Sequence, residues 1–475
     1  MLEVMGLEEN EILEAMDYGA IQEKQYDELT ELLEKKDRKT LQKRLEEMNE
    51  FDVAEFLTEI DDNRMPMVFR LLSKETAAEV FANLEAPEQE RIINSITDQE
   101  LSGIIEELYV DDAVDIMEEL PANVVKRVMR TATPETRSLI NQYLRYPDDS
   151  AGSIMTAEFV DLKKYMSVKE SIARIRRIGE DKETIYVCFV TNAHRKLEGI
   201  VTVKDLLLAD PDTVIEDLMD RNVIYAVTTE DQESVSEKFS DYDLMALPVV
   251  DLENRLVGIV TVDDIIDVME QEATEDIQIM AGMTPSDKPY LRTSTAEMWK
   301  NRIPWLMFLM LSATFTSMIL TAFEDRLAVQ AGLVAFIPML MGTGGNSGAQ
   351  ASTAVIRSLS LGDVEPRDVL KVMWKEWRVA FLCGLTLASV NFIKMLLVDG
   401  KLLGNANITV AVAATVSLSI VFIVMFAKVV GSFLPIAAEK IGVDPAVMAN
   451  PLISTLTDAV SLLIYIYVAK LILKI

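Results

Sequence analysis

The chain has 475 residues, half of them hydrophobic, and a formal net charge of −32 at pH 7. It is too long for one ordinary hydrophobic core and too acidic for a nucleic-acid-binding protein, so we expect several domains. Its two cysteines and single histidine exclude a zinc cluster of thiolates and imidazoles and a disulfide framework. Any bound metal is therefore expected to be a hard cation with oxygen ligands.

The negative charge is concentrated in the N-terminal part. Residues 1–290 contain 30 Lys and Arg against 66 Asp and Glu, whereas residues 291–475 contain 15 against 11. Hydrophobic residues recur regularly in the acidic part, so we expect it to fold rather than to form a disordered tail. Crowded carboxylates destabilise a compact state unless bound cations relieve their repulsion. The first residues lack a long apolar segment, so we predict no signal peptide and a cytoplasmic N-terminus.

A 12-residue repeat predicts the fold of the N-terminal domain, assigned to residues 1–145. Seven in-phase units cover residues 52–135, and the fifth and sixth positions of each unit are apolar. Such a unit allows about two helical turns, so it buries its apolar face only by stacking on its neighbours. This favours an α-helical superhelix over a generic helical bundle. The apolar pairs are Phe56/Leu57, Val68/Phe69, Val80/Phe81, Ile92/Ile93, Ile104/Ile105, Ile116/Met117 and Val128/Met129.

Residues 146–276 contain two copies of a strand–turn–strand–helix pattern, at 185–207 and 244–266. This doubling resembles a tandem pair of CBS domains and implies an α/β fold. In that family the Thr and Asp of the G-I-V-T-x-x-D motif contact the ribose and phosphates of adenine nucleotides. The resemblance implies a candidate ATP site at Thr202, Asp205, Thr261 and Asp264. The alternative is that each Thr caps the following helix and each Asp stabilises its first turn.

The C-terminal part, residues 303–475, is predicted to be an all-α membrane domain. Five stretches with at most one charge are long enough to cross a bilayer. The basic segment 357–378 is expected in the cytoplasm, which puts the N-terminus inside and the C-terminus outside. Residues 277–302 are expected to form a connecting helix along the membrane face. The five stretches are 303–323, 327–356, 379–398, 402–427 and 445–469.

Asp458 is the only acidic residue of the last stretch. A bare carboxylate at membrane depth costs several kcal/mol, so it should face a partner or a wet pathway. The alternative is an ion pair with Lys394 or Lys428, which we favour less because both lysines can extend to an interface. Asn450 and Ser454 lie on the same helix face as Asp458, which indicates a polar stripe along a pore.

A second polar feature, at residues 338–350, lies in the second stretch. Pro338 removes a helix hydrogen bond, and Gly342 and Gly345 permit irregular backbone, so we expect a broken helix. Freed carbonyls at membrane depth are tolerated when they are buried in protein or line a water-filled cavity. Close packing of small residues is the alternative. The amides of Asn346 and Gln350 favour a pore.

The P-x-x-x-G-x-x-G-N-x-x-x-Q signature, the DPAVMANPLISTLTD run at 444–458, the CBS pair and the acidic repeat together resemble the MgtE family of magnesium transporters. The likeness extends from about residue 51 to the C-terminus. It implies a homodimer with a pore between the subunits, in which both Asp458 side chains bind a largely hydrated Mg²⁺. It also implies a pore lining of Asn450, Ser454, Gly342, Gly345 and Asn346.

The resemblance further implies regulatory Mg²⁺ sites between the repeat domain, the CBS pair and the connecting segment. For any single acid, a solvated surface position is the alternative. Asp264 could serve nucleotide or metal. The implied ligands are Glu79, Asp111, Asp115, Asp231, Glu233, Asp243, Asp264, Asp267, Glu272, Glu275 and Asp276.

These observations predict a Mg²⁺-selective channel or transporter of the bacterial inner membrane, closed when cytoplasmic Mg²⁺ binds the acidic domains. One alternative is a proton-coupled divalent-cation carrier, and another is a membrane-anchored CBS nucleotide sensor. An enzyme is not expected, because no nucleophile–base constellation is present. Selectivity among Mg²⁺, Mn²⁺, Co²⁺ and Ni²⁺ stays open at this level.

Overall fold

The computed structural model describes residues 9–286, 288, 290, 291, 293–323, 331–405, 407–448 and 450–474, with the backbone alone at 9–21, 331 and 450. The chain divides into two compact units, Met1–Val268 and Met269–Ile475. The first unit contains the acidic helices and the α/β region. The second contains the long apolar helices.

Helices that begin every twelve residues form the N-terminal part of the first unit. From α5 to α10 the helices begin at residues 74, 86, 98, 110, 122 and 134, which confirms the period predicted from the sequence. The ranges are α1 Glu9–Glu34, α2 Arg38–Glu46, α3 Glu50–Glu59, α4 Met65–Phe69, α5 Lys74–Ala82, α6 Ala86–Ser95, α7 Asp98–Ile105, α8 Val110–Glu119, α9 Ala122–Thr131 and α10 Pro134–Tyr143.

The repeat has a simple physical origin in caps and buried pairs. Ser73 and Thr133 cap α5 and α10 through their side chains, and Thr97 forms a reciprocal capping box with Glu100 at the start of α7. The predicted apolar pairs are buried, except that Met129 is half-buried. Helix α5 packs on α3 and α7, and α7 packs on α9. Every second helix is thus in direct contact, and the buried residues of the repeat belong to one continuous core, as expected for a stacked helical repeat.

The α/β region consists of two copies of one small sheet, as the doubled sequence pattern predicts. The strand orders are β1-β2-β3 and β4-β5-β6, with a parallel first pair and an antiparallel second pair in each. The strands are β1 Asp161–Leu162, β2 Val187–Thr191, β3 Leu197–Thr202, β4 Ala226–Val227, β5 Ala246–Val250 and β6 Leu256–Thr261. The helices are α11 Val168–Ile178, α12 Val203–Leu208, α13 Ile215–Leu218 and α14 Gln232–Tyr242.

The segment between the two units differs from the sequence prediction. Helix α15, Val262–Met280, follows β6 directly, and the boundary between the units falls within it. The described residues of 281–294 are not helical, and α16, Thr295–Ala322, begins only after Ser294 caps it through the Glu297 amide. A single connecting helix over 277–302 is therefore wrong. Gly282 has a φ of +71° just after α15, a conformation that ends a helix readily.

Long helices and one short helix make up the second unit. After α16 come the short α17, Ala331–Val334, and the long helices α18 Ile337–Ser360, α19 Val369–Lys394, α20 Val410–Lys440 and α21 Asn450–Leu473. Within the described residues, four helical stretches are long and apolar enough to cross a membrane. They are Thr295–Ala322, Pro366–Leu402, Val410–Lys440 and Pro445–Leu473. Helix α18 has 24 residues, about 36 Å, but more polar and small residues, so the count of five spans stays a prediction.

Helix α20 extends well beyond its predicted range of 402–427. It begins at Val410 and continues through Lys428 to Lys440. Lys428 does not end the apolar segment because it is buried, and its Nζ lies 3.8 Å from Glu376 Oε2 on α19. Within this unit α18, α19 and α21 all pack on α20. A Cβ on Gly431 would lie 2.3 Å from the Gly348 carbonyl oxygen, so α18 and α20 approach closely through small residues.

Candidate metal and nucleotide sites

Asp458 lies half-buried on α21 in the second unit. Its two possible lysine partners are engaged elsewhere: Lys394 Nζ lies 3.1 Å from Asp399 Oδ2, and Lys428 faces Glu376. Among the described residues of the chain, no hydrogen bond or ion pair engages the Asp458 carboxylate. The alternative of a buried Asp458–lysine pair is therefore not realised in this structure.

The residues around Asp458 form a polar and small-residue contact with α18. Ser454, one turn before Asp458, is half-buried, and a Cβ on Gly345 would lie 3.2 Å from its Oγ. Ser461 is buried beside Gly344, and its Oγ has no hydrogen-bond partner among the described residues. The Asn450 backbone begins α21, and its side chain lies outside the described part of the structure.

Helix α18 uses its small residues on two different faces. Gly345 is buried against α21, in line with close packing, whereas Gly342, Asn346 and Gln350 are exposed at four-residue spacing. A Cβ on Gly342 would meet no atom within 4 Å. The predicted helix break is wrong: Pro338 occupies the first turn, where its missing amide hydrogen has no intrahelical acceptor to lose.

An acidic cluster in the first unit contains Asp111, Asp112 and Asp115 on α8 and Asp264 on α15. Desolvation and the neighbouring carboxylates raise the pKa of Asp112 and of Asp264 to about 6. The Asp115 side chain is exposed, yet protein crowding around its carboxylate and the charge of Asp112 raise its pKa to about 7. Desolvation raises the pKa of Asp111 well above its usual range. Each of these groups is therefore hard to keep charged.

Sequence reasoning missed several members of this cluster. Desolvation and the charge of Asp264 raise the pKa of Glu183 to about 7, and Glu158 adds to the potential at Asp111 and Asp112. Asp263, next to Asp264, contributes to the same field. Asp263 is adjacent to the predicted ligand Asp264, but Glu158 and Glu183 lie in irregular segments without any pattern. Only tertiary structure brings them to the cluster.

The donor set of the cluster suits a hard divalent cation. It consists of carboxylate oxygens, and Asp111 Oδ1 is buried without a hydrogen-bond partner among the described residues. Within the described part of the chain, however, no three His, Cys, Asp or Glu side chains already converge closely enough to hold a metal ion. The acids are near enough to perturb one another's pKa without forming a ready-made coordination shell.

The remaining predicted ligands in the first unit are more scattered. Glu79 is exposed on α5, and its charge contributes to the raised pKa of Asp112. Asp267 is exposed on α15, one turn beyond Asp264, whose pKa it raises. Asp231, Glu233 and Asp243 lie instead at the two ends of α14. There Asp231 Oδ1 accepts a 3.0 Å hydrogen bond from the Glu233 amide, and Asp243 ends the helix with a φ of +50°.

Glu272, Glu275 and Asp276 lie on the part of α15 that belongs to the second unit. Desolvation and the charge of Asp444 raise the pKa of Asp276, while Arg357 opposes that shift. The end of α15 is held there by apolar contacts, since Ile279 and Met280 pack against buried residues of α18 and of the turn before α21. Asp444 was not predicted as a ligand, although it opens the 444–458 run.

The Thr and Asp of each motif in the α/β region bond to each other at the start of a helix. Thr202 and Asp205 form a reciprocal capping box at the start of α12. Thr261 Oγ1 donates a 2.6 Å hydrogen bond to Asp264 Oδ2 at the start of α15. The capping alternative is thus realised at Thr202 and Asp205, whereas at the second motif the two side chains bond to each other. Asp264 links this second motif to the acidic cluster.

Comparisons with known proteins match the whole arrangement. Residues 337–468 match the MgtE divalent cation transporter family, 48–149 the MgtE intracellular N domain, and 151–212 and 215–271 the CBS domain. The chain is 38% identical over 450 residues to the magnesium transporter MgtE of Thermus thermophilus, covering 94% of this chain and 98% of that protein. It is 30% identical to the magnesium transporter MgtE of Bacillus subtilis, covering 90% of this chain and 92% of that protein.

A crystal structure of the soluble part of a magnesium transporter matches with a TM-score of 0.51 and 29% identity. It covers 53% of this chain and 99% of that chain. The family models thus match the helical N-terminal part, the α/β region and most of the membrane part of this chain, in that order. The chain belongs to the MgtE family of divalent cation transporters.

Proposed function

We propose that this protein transports Mg²⁺ across the membrane and that Asp458 binds the ion in transit. The observation that carries the proposal is a carboxylate on a membrane helix with no partner among the described residues of its own chain. Such a charge is too costly to retain at membrane depth unless an ion, water or another subunit stabilises it. The names of the relatives, magnesium transporters, support Mg²⁺ as that ion.

A homodimer supplies the missing partner. Two Asp458 side chains across a two-fold axis match the charge of one divalent ion, and Mg²⁺ usually keeps several waters while taking one or two carboxylates. In this arrangement the exposed stripe of Gly342 and Asn346 and the face of Ser454 and Asn450 line the path. Gly345 contributes by letting α18 approach Ser454.

The acidic cluster of the first unit is the proposed sensor. Mg²⁺ bound among Asp111, Asp115 and Asp264 removes the repulsion that raises their pKa values. The bound ion favours whichever conformation brings the acids closest, because it shifts an equilibrium only through a difference in affinity. We assign closure of the pathway to that conformation. Glu79, Asp267, Glu272, Glu275 and Asp276 are further ligands in this proposal, as are Asp231, Glu233 and Asp243 near α14.

Adenine nucleotide is a second proposed ligand of the CBS pair, at Thr202/Asp205 or Thr261/Asp264. Binding there requires the Asp carboxylate to exchange its Thr partner for a ribose hydroxyl. The basic segment 357–378 supports a cytoplasmic location for the soluble region and an outer location for the C-terminus.

Flux measurement on the full chain in liposomes tests the transport proposal. We expect Mg²⁺ uptake by the wild type, and loss of uptake in Asp458→Ala with normal insertion. Uptake that survives this substitution would rule out Asp458 as the transit site. A dependence on an imposed pH gradient at constant voltage would favour the proton-coupled carrier instead.

A further inference from the structure

The start of α19 carries a basic and aromatic face that the proposed ion pathway does not use. Lys371, Trp374, Lys375 and Arg378 recur at three- and four-residue spacing, so they share one side of the helix. All four side chains are exposed, Trp374 to 59%. Leu382, one turn further along the same side, is 65% exposed, so this side continues into an apolar surface.

The aromatic rings on and beside this face stack on one another. The Trp374 and Trp377 rings stack with centroids 5.2 Å apart and an interplanar angle of 7°. Phe381 stacks on Trp377 at 6.2 Å, and the Arg378 guanidinium lies 5.9 Å from the Trp374 centroid. Tryptophan is enriched at the level of lipid headgroups, where its apolar ring and polar N–H are both satisfied.

Two positive charges on this face lack an acidic partner. Arg367 lies 2.6 Å from Glu365, Lys371 lies 2.5 Å from Asp368, and Glu376 faces Lys428 on α20. No acidic partner of Lys375 or Arg378 is present within the described residues. The face therefore presents uncompensated positive charge directly beside exposed indole rings.

The opposite side of α19 packs against α20. A Cβ on Gly384 would lie 3.1 Å from Val421 Cα, and Asn391 Nδ2 donates a 3.2 Å hydrogen bond to Ser417 Oγ. Ala380 and Ala388 are buried on the same side. The basic and aromatic face therefore points away from this helix contact. It faces outward, towards the bilayer that surrounds a membrane domain.

We propose that Lys375 and Arg378 bind the phosphate of an anionic phospholipid, with Trp374 covering its glycerol region and Leu382 contacting its acyl chain. The positive-inside rule puts this end of α19 at the cytoplasmic leaflet, which carries anionic lipids. Each basic residue near such a surface contributes about 1 kcal/mol, or about fivefold in affinity. This lipid site is independent of which ion the protein transports.

The test compares phosphatidylglycerol with phosphatidylcholine binding to the purified full chain, by native mass spectrometry of protein released from nanodiscs. We expect preferential retention of phosphatidylglycerol. Lys375→Gln/Arg378→Gln should weaken that retention by about 25-fold, from about fivefold per charge. Lys375→Arg should retain it. Lys401→Gln, which removes an exposed cation beyond the other end of α19, is the matched control.

Equal retention by wild type and the double variant would overturn the proposal, as would an equal loss in Lys401→Gln. If the double variant instead changed the oligomeric state in size-exclusion chromatography while lipid retention stayed constant, the face would be a contact between subunits. That outcome also contradicts the lipid site.

Discussion

Lys428 Nζ on α20 lies 3.8 Å from Glu376 Oε2 on α19, and the lysine is almost fully buried. Both charges lie in helical stretches apolar enough to cross a membrane. They neutralise each other inside the protein, where either charge alone would be buried without a partner. This pair tethers α19 to α20, and it leaves Asp458 without a lysine partner on its own chain.

Removing one partner of this pair should destabilise the membrane domain strongly. Lys428→Met leaves a buried carboxylate unpaired, and we expect a loss of about 3 kcal/mol in the free energy of unfolding. The double variant Lys428→Met/Glu376→Leu should recover most of that loss. Thermal unfolding in detergent measures both effects. Lys371→Met, which breaks an exposed pair with Asp368, is the control and should have little effect.

Asp458→Asn should abolish Mg²⁺ uptake while preserving shape and hydrogen bonding, because the neutral amide no longer balances the charge of a divalent ion. Uptake into liposomes measures this change. Asp399→Asn alters a carboxylate that already pairs with Lys394, so its uptake should stay close to that of the wild type. Similar losses in the two variants would contradict a specific role for Asp458.

The acidic cluster should make stability depend on pH in an unusual direction. The pKa values of Asp112 and Asp264 are about 6 and those of Asp115 and Glu183 about 7, above their ordinary values of 3.8 and 4.5. Between about pH 4 and 7 the folded state therefore binds more protons than the unfolded state. The free energy of unfolding should then fall as pH rises through this window.

Mg²⁺ should cancel that fall, because it replaces protons as the compensating charge. Thermal melts of the full chain at pH 5.5 and 8, with and without Mg²⁺, measure this linkage. We expect a larger rise of Tm on adding Mg²⁺ at pH 8 than at pH 5.5. An equal rise at both pH values would argue against binding at these acids.

Neutralising a cluster acid should stabilise the protein in the absence of Mg²⁺ and weaken Mg²⁺-dependent closure. Asp115→Asn removes a charge whose pKa is raised by its surroundings, so we expect a higher Tm without Mg²⁺. Asp98→Asn is the matched control, for which the opposite change in Tm is expected. Hydrogen bonds and ion pairs from Arg127 and Arg130 lower the pKa of Asp98, so its removal should lower the Tm.

Glycine substitutions on α18 and α20 should distinguish glycines needed for helix packing from a glycine on an open surface. Gly431→Ala places a methyl group 2.3 Å from the Gly348 carbonyl oxygen, so the helices must move apart and the Tm should fall. Gly342→Ala meets no atom within 4 Å, so its stability should be preserved. If Gly342→Ala nevertheless lowers ion flux, this exposed position lies in the pathway. Thermal unfolding and liposome flux on the same preparations provide both measurements.

Much of this protein is determined locally and can be predicted from the sequence. The 12-residue period predicts helices at the right spacing, because each short unit buries the same two positions, such as Ile92 and Ile93. The doubled pattern predicts both small sheets, because alternation and turn residues specify strands. Hydropathy predicts the apolar helices. Asp458 can be identified as a candidate site from the sequence alone, because a carboxylate in an apolar membrane segment is energetically costly.

Tertiary structure decides what depends on contacts between distant residues. In the sequence, Lys428 is a charge that is expected to end an apolar segment. In the structure it lies within helix α20, because Glu376 on α19 compensates its charge. From the sequence, Pro338 is expected to break a helix. Because α18 begins one residue before it, Pro338 lies in the first turn and removes no intrahelical hydrogen bond. Glu158 and Glu183 carry no sequence signal, and folding brings their charges to Asp111 and Asp264. Local patterns thus specify the elements, whereas long-range electrostatics and packing decide which charged residues act together.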